Sequence, residues 1–311
     1  MPNWHDILNE IHNKRIQAST EANSAVNIIR RKYLSQLHEY TGRNIIAYYS
    51  GWLSKPNIRG TEINDEDKNG FMMGVHHLDR SKGLDLILHT EGGSIAATES
   101  IVNYLRQMFG NDIRAIVPQI AMSAGTMLAC SCKAIVLGKQ SNLGPIDPHL
   151  NGIPAQGVVD EFKRALKEVK KDPAMLPLWS LIVGQYRPTF LRQCEDAVKW
   201  SEGFVKHELE NVMFASMPKV KRDRVVKNII KKLTDYKLNR SHGKHIHLAE
   251  CREMGLVVEQ LEDDQVFQDL VLSVHHCFIN TLMNSPAHKI IENHLGTAMV
   301  KMSVASASPS N

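Results

Sequence analysis

Ala121-Met122-Ser123-Ala124-Gly125-Thr126, followed by Leu143-Gly144-Pro145-Ile146-Asp147-Pro148, is the stretch on which the fold of this 311-residue chain turns. Ahead of it lies Leu84-Asp85-Leu86-Ile87-Leu88-His89-Thr90-Glu91-Gly92-Gly93-Ser94. Leu84 to Leu88 is a nearly continuous apolar run, as expected of a strand covered on both faces. Ser94 is a good N-cap for a helix from Ile95 to about Met108. Ile113 to Val117 is a second strand, ended by Pro118, and the serine turn then opens a short helix to Cys130. The order strand, glycine turn, helix, strand, serine turn, helix predicts an α/β protein.

Both turns have chemical potential. Two successive glycines adopt backbone angles closed to other residues and let a ligand approach the main chain. Amide N–H groups at such a turn can stabilise a developing negative charge, each worth roughly 3–4 kcal/mol in acyl transfer. The small neighbours of Ser123 leave its hydroxyl uncovered at a helix N-terminus, where unpaired N–H groups gather. A tight turn without a ligand, and a serine that only caps its helix, are the alternatives for each turn taken alone.

Residues 84–150 resemble the Clp/crotonase superfold, and specifically the serine dehydrogenase proteinase family, relatives of signal peptide peptidase A and the Clp protease. The resembling residues are His89-Thr90-Glu91-Gly92-Gly93, the Ala121–Thr126 turn and Ser141-Asn142-Leu143-Gly144-Pro145-Ile146-Asp147-Pro148. The resemblance implies Ser123 as nucleophile and an oxyanion hole from N–H groups at Gly92 or Gly93 and at Ala124. It also implies a core of repeated ββα units and assembly into a trimer, tetramer or hexamer. Glu91 stands where these families usually carry proline.

A serine nucleophile needs an activating base within hydrogen-bond reach. Asp147 and His149 fall near the place where the Clp protease has its histidine, giving a triad-style candidate. The signal peptide peptidase branch uses a lysine on a later helix. Here Lys163, Lys167 and Lys170 share one face of a helix expected over 155–171. Lys163 and Lys167 rank first as the base. Asp147, between Ile146 and Pro148, either orients a base or closes a turn.

The composition sets the outer bounds. A hydrophobic fraction of 43% supports one large domain. A net charge of +4 is too mild to argue for nucleic acid. Five cysteines without C-x-x-C spacing read as reduced thiols of a cytoplasmic protein. No apolar stretch approaches the ~20 residues of a membrane span, and Met1-Pro2-Asn3-Trp4-His5-Asp6 does not read as a secretory leader.

Residues 1–41 read as an N-terminal helical arm and 42–260 as the peptidase domain, with a helical insert around 155–240. A C-terminal helix is expected over 261–302 and a disordered tail over 303–311. Lys55 to Gly70 reads as a polar surface loop near the site. Lys219 to Leu233 is a basic helix with an apolar face, read as a packed helix with a solvated side. In Ser241-His242-Gly243-Lys244-His245-Ile246-His247, three histidines can in principle hold zinc, but a hydrogen-bonded loop is the favoured reading. His242 is the residue there that can reach substrate or Ser123.

The sequence is therefore read as an ATP-independent serine peptidase acting on peptide or protein substrates. It calls for no metal or organic cofactor. An acyl-CoA enzyme of the crotonase type and an inactive oligomeric scaffold are the alternatives.

Overall fold

The computed structural model describes residues 4–17, 22–235 and 241–303. Helices α1 (Trp4–Gln17) and α2 (Ala22–Thr41) lead into β1 (Asn44–Ser50). Then follow α3 (Asp67–Val75), β2 (Leu84–His89), α4 (Ile95–Phe109), β3 (Ile113–Val117), β4 (Ile120–Ala121), α5 (Ala124–Cys130), β5 (Ala134–Leu137) and β6 (Asn142–Leu143). A small hairpin, β7 (His149–Leu150) with β8 (Ile153–Pro154), precedes α6 (Ala155–Lys171), α7 (Leu176–Val183), α8 (Phe190–Glu208) and α9 (Lys219–Thr234). The chain returns through β9 (Ile246–His247), the helix Leu248–Met254, β10 (Val258–Gln260), the helix Gln265–Asn284, β11 (Ala287–Asn293) and β12 (Ala298–Met302).

The main sheet runs β10-β5-β3-β2-β1-β11-β12. Its first five strands are mutually parallel, and β11 and β12 join antiparallel. Alternation along the strands sorts side chains to two faces. Ile46, Tyr48, Leu86, Leu88, Ala115 and Val117 pack with α4, α5, α8 and α9. Ile45, Ala47, Tyr49, Ile87, Ile116 and Val136 pack with α1, α2 and the helix Gln265–Asn284. Helices on both faces explain why β2 is apolar almost throughout. Ile7, Ile11, Ile29 and Leu37 bury the N-terminal arm against its own domain.

Two expectations need correction. The segment 261–302 is helical only over Gln265–Asn284, and its remainder supplies two strands. His288, Lys289, Glu292 and Asn293 disguise β11 as polar chain, yet all four are buried, and distant groups satisfy the last three. Glu292 meets Arg30 and Arg31, Asn293 donates to the Gly74 carbonyl, and the Lys289 ammonium lies 2.9 Å from both oxygens of Asp67. The loop 55–70 is not wholly superficial either, because Ile63 is fully buried against the glycine turn. Of the expected tail 303–311, all but Ser303 lies outside the described residues. All five cysteines are buried free thiols. Among the described residues no helix is long and apolar enough to cross a membrane.

Candidate active site

The two turns meet at the carboxyl ends of β2 and β3, the usual ligand crevice of a parallel sheet. The Thr90 amide donates to the Ile120 carbonyl at 3.2 Å, and the Met122 amide donates to Thr90 at 2.9 Å. This bridge sets the glycine turn beside the serine turn. At Gly92, with φ of +102°, a Cβ would stand 2.7 Å from the Ser123 Cβ and the Met122 carbonyl oxygen. Gly93, with φ of +153°, lies so close to Ile63 that a Cβ would approach its backbone to 2.4 Å. Only glycine permits this contact between turns.

Ile63 fixes the glycine turn from outside. Its amide donates to Gly92 at 2.7 Å, and its carbonyl accepts from Ser94 at 2.9 Å. The Gly92 amide is taken by the Thr90 hydroxyl. Among the described residues the Gly93 amide has no partner, and Gly93 itself is exposed to the cavity. The Ser94 side chain caps α4, accepting from Ala97 at 3.3 Å.

Ser123 occupies the N-cap position of α5 with φ of 49° and ψ of −116°, and its side chain makes no capping bond. A non-glycine residue in this region is strained by about 1–3 kcal/mol. Its neighbours hold it there: Gly125 donates to Met122 at 2.7 Å and Met127 donates to the Ser123 carbonyl at 3.0 Å. Among the described residues the Ala124 amide is unpaired. A serine that only capped its helix would spend its hydroxyl on those amides; this one does not.

Asp147 is buried, 2% exposed. Its loop hangs on three helices. The Thr126 hydroxyl of α5 accepts the Gly144 amide at 2.9 Å, the Ser201 hydroxyl of α8 donates to the Ile146 carbonyl at 2.6 Å, and the Ile146 amide donates to Leu233 of α9 at 3.0 Å. Two imidazoles converge on the carboxylate: His242 Nδ1 at 2.9 Å from Oδ1 and His149 Nε2 at 3.2 Å from Oδ2. Their ring centroids are 4.2 Å apart. Burial, and then the His242 ring, hold the His149 imidazole below its ordinary pKa, against the pull of Asp147.

Ser123, Gly92, Gly93, His149, His242 and Glu91 line one cavity of about 810 Å³. Burial raises the Glu91 carboxyl above its ordinary value, opposed by a 2.6 Å bond from the Thr61 hydroxyl. Lys163 and Lys167 are not brought to this cavity: both are solvent-exposed on α6 and neither is among its lining residues. The zinc-like histidine run also divides, since the His247 backbone caps the helix Leu248–Met254 through Glu250. Sequence reasoning missed Ile63 and Ser201, whose hydrogen bonds run to distant backbone and leave no local signal.

The model of the ClpP-like SDH-type serine proteinases matches residues 18–277, which include both turns, Asp147 and both histidines. The chain belongs to this family. Two uncharacterized proteins of Methanocaldococcus jannaschii are each 26% identical to it, over 205 and 210 residues, or 66% and 68% of this chain. The chain spans 63% of the length of each of these relatives. Membership in the ClpP-like SDH-type serine proteinases supports serine peptidase chemistry at the level of the family. In this ClpP-like proteinase Ser123, Gly93, His149 and His242 line one cavity, and Asp147 is buried against the two imidazoles.

Proposed function

We propose that the chain is a serine endopeptidase in which Ser123 attacks the peptide carbonyl, His242 is the general base and Asp147 orients it. The observation that carries this reading is the uncapped, strained Ser123 lining the same cavity as His242, whose Nδ1 is on Asp147. A carboxylate only accepts hydrogen bonds, so the proton of a neutral His242 ring sits on Nδ1 and Nε2 keeps its lone pair. His149 is a weaker base candidate. Its bond to Asp147 is the longer of the two, 3.2 Å from Nε2.

The reaction follows from these positions. His242 takes the Ser123 hydroxyl proton as the oxygen bonds to the carbonyl carbon. The Gly93 and Ala124 amides receive the oxyanion. Imidazolium returns the proton to the departing amine, and water activated by the same ring hydrolyses the acyl-enzyme. No nucleotide enters these steps, which is the ground for reading the enzyme as ATP-independent. Exposed Leu166, Leu176, Leu178 and Leu181 on α6 and α7 favour a homo-oligomer. The five reduced thiols favour the cytoplasm.

The test is intact-mass labelling of the full chain with a fluorophosphonate. One adduct on the wild type and none on Ser123→Ala is expected. A folded wild type that neither accepts the probe nor cleaves casein overturns the reading.

A further inference from the structure

Asp147, His149 and His242 are the one grouping among the described residues in which three metal-capable side chains bring their ligand atoms within 4.8 Å of one another. We propose that this trio is a binding site for a divalent transition ion of the zinc type, and that the bound ion switches the peptidase off. The inhibitory half rests on the function proposed above; the binding half does not.

The geometry carries the site. Zinc holds imidazole nitrogen and carboxylate oxygen at about 2.0–2.2 Å, so neighbouring ligand atoms stand about 2.9–3.5 Å apart over angles from 90° to tetrahedral. The two nitrogen–oxygen separations here are 2.9 and 3.2 Å. Two histidines and one carboxylate leave a further coordination position open, a donor set suited to zinc, iron or cobalt and poor for calcium or magnesium. An ion has a way in, because the side chains of His149 and His242 are 25% and 28% exposed and both line the cavity.

Inhibition follows from the tautomer of His242. In the ion-free site the ring proton is on Nδ1, facing Asp147, and Nε2 is the base. An ion at the Asp147 side takes the Nδ1 lone pair, so the single ring proton moves to Nε2. The ring then donates where it previously accepted, and it can no longer remove the Ser123 proton. No proton is lost from the ring, and Ser123 is not a ligand.

Equilibrium dialysis of the full chain against zinc chloride, with cobalt(II) absorption as a second measurement, tests the site. Wild type and Ser123→Ala are each expected to bind one zinc per chain, and Asp147→Asn and His149→Gln to bind at least about tenfold more weakly. Cobalt should give the intense visible bands of a low-coordinate nitrogen–oxygen site. Stoichiometric zinc should slow fluorophosphonate labelling of the wild type, and EDTA should restore it. Absence of tight zinc and of cobalt bands in the wild type overturns the site, as does unchanged affinity in folded Asp147→Asn. If His149→Gln does not fold, the wild-type cobalt spectrum and Asp147→Asn decide. Zinc that binds without slowing labelling overturns the switch alone. Zinc binding in a wild type that neither labels nor cleaves casein overturns the peptidase reading, and the switch with it, while upholding the site.

Discussion

His242 Nδ1 sits 2.9 Å from Asp147 Oδ1 although 95 positions separate the two residues. It is the closer of the two imidazoles on that carboxylate, and on the proposed mechanism its free Nε2 is the base for Ser123. His242→Ala should therefore slow Ser123 labelling by about 10³-fold or more, within the range of a lost general base. Asp147→Asn should come close to it. His149→Ala should cost much less. Second-order labelling rates on metal-free protein distinguish the two histidines, and a larger loss at His149 would reverse their roles.

Ser123 carries backbone strain that alanine keeps and glycine relieves. Its φ of 49° and ψ of −116° cost about 1–3 kcal/mol, from which the extra chain entropy of glycine subtracts up to about 1 kcal/mol. Ser123→Gly should accordingly be more stable than Ser123→Ala by about 1 kcal/mol. Urea unfolding of both inactive variants measures it. Equal stabilities would mean that the turn is not strained.

Glu91 gives a pH dependence of definite sign. Burial raises its carboxyl in the folded state. Well below the carboxylate range both states are protonated and burial of the charge costs nothing; as pH rises through the unfolded and then the folded value, stability is lost. Glu91→Gln should leave Tm unchanged at about pH 3 and raise it at about pH 7. It should also speed Ser123 labelling at neutral pH, since a negative charge next to the oxyanion site has been removed. A Tm gain independent of pH would sink the explanation by charge burial.

Lys289 and Asp67 form a fully buried ion pair, with neither side chain exposed. The ammonium also reaches the Glu62 carbonyl at 2.7 Å, and Asp67 accepts from the Tyr48 hydroxyl at 2.8 Å. Lys289→Ala leaves the buried Asp67 carboxylate with Lys301, at 3.2 Å, as its cation, and should cost about 3 kcal/mol, the low end for a broken buried pair. Denaturant midpoints would detect this easily. A loss under about 1 kcal/mol would mean that Lys301 alone compensates Asp67.

What the sequence reveals divides by the range of the interaction. β2, β3, α4 and the Ser94 cap are legible because each follows from residues within a few positions. β11 is not, since its buried lysine, glutamate and asparagine are satisfied by Asp67, Arg30 and Gly74, over 200 positions away. The same limit governs the site. Ser123, Gly93 and Ala124 are marked by their own turns. Lys163 and Lys167 have helical spacing in their favour, but spacing fixes a shared face and not what that face meets. Nothing near His242 announces Asp147.

Three helices from separate parts of the chain hold the loop that carries Asp147, and its histidine partner is made later than all of them. Synthesis runs from the amino end, so a growing polypeptide displays Ser123 while α8, α9 and residue 242 are still to be translated. On the proposed mechanism that serine is inert until the last third of the chain has docked. Hydrolytic power thus arrives with completion of the fold, and a half-made molecule has no means of cutting itself or its neighbours on the ribosome.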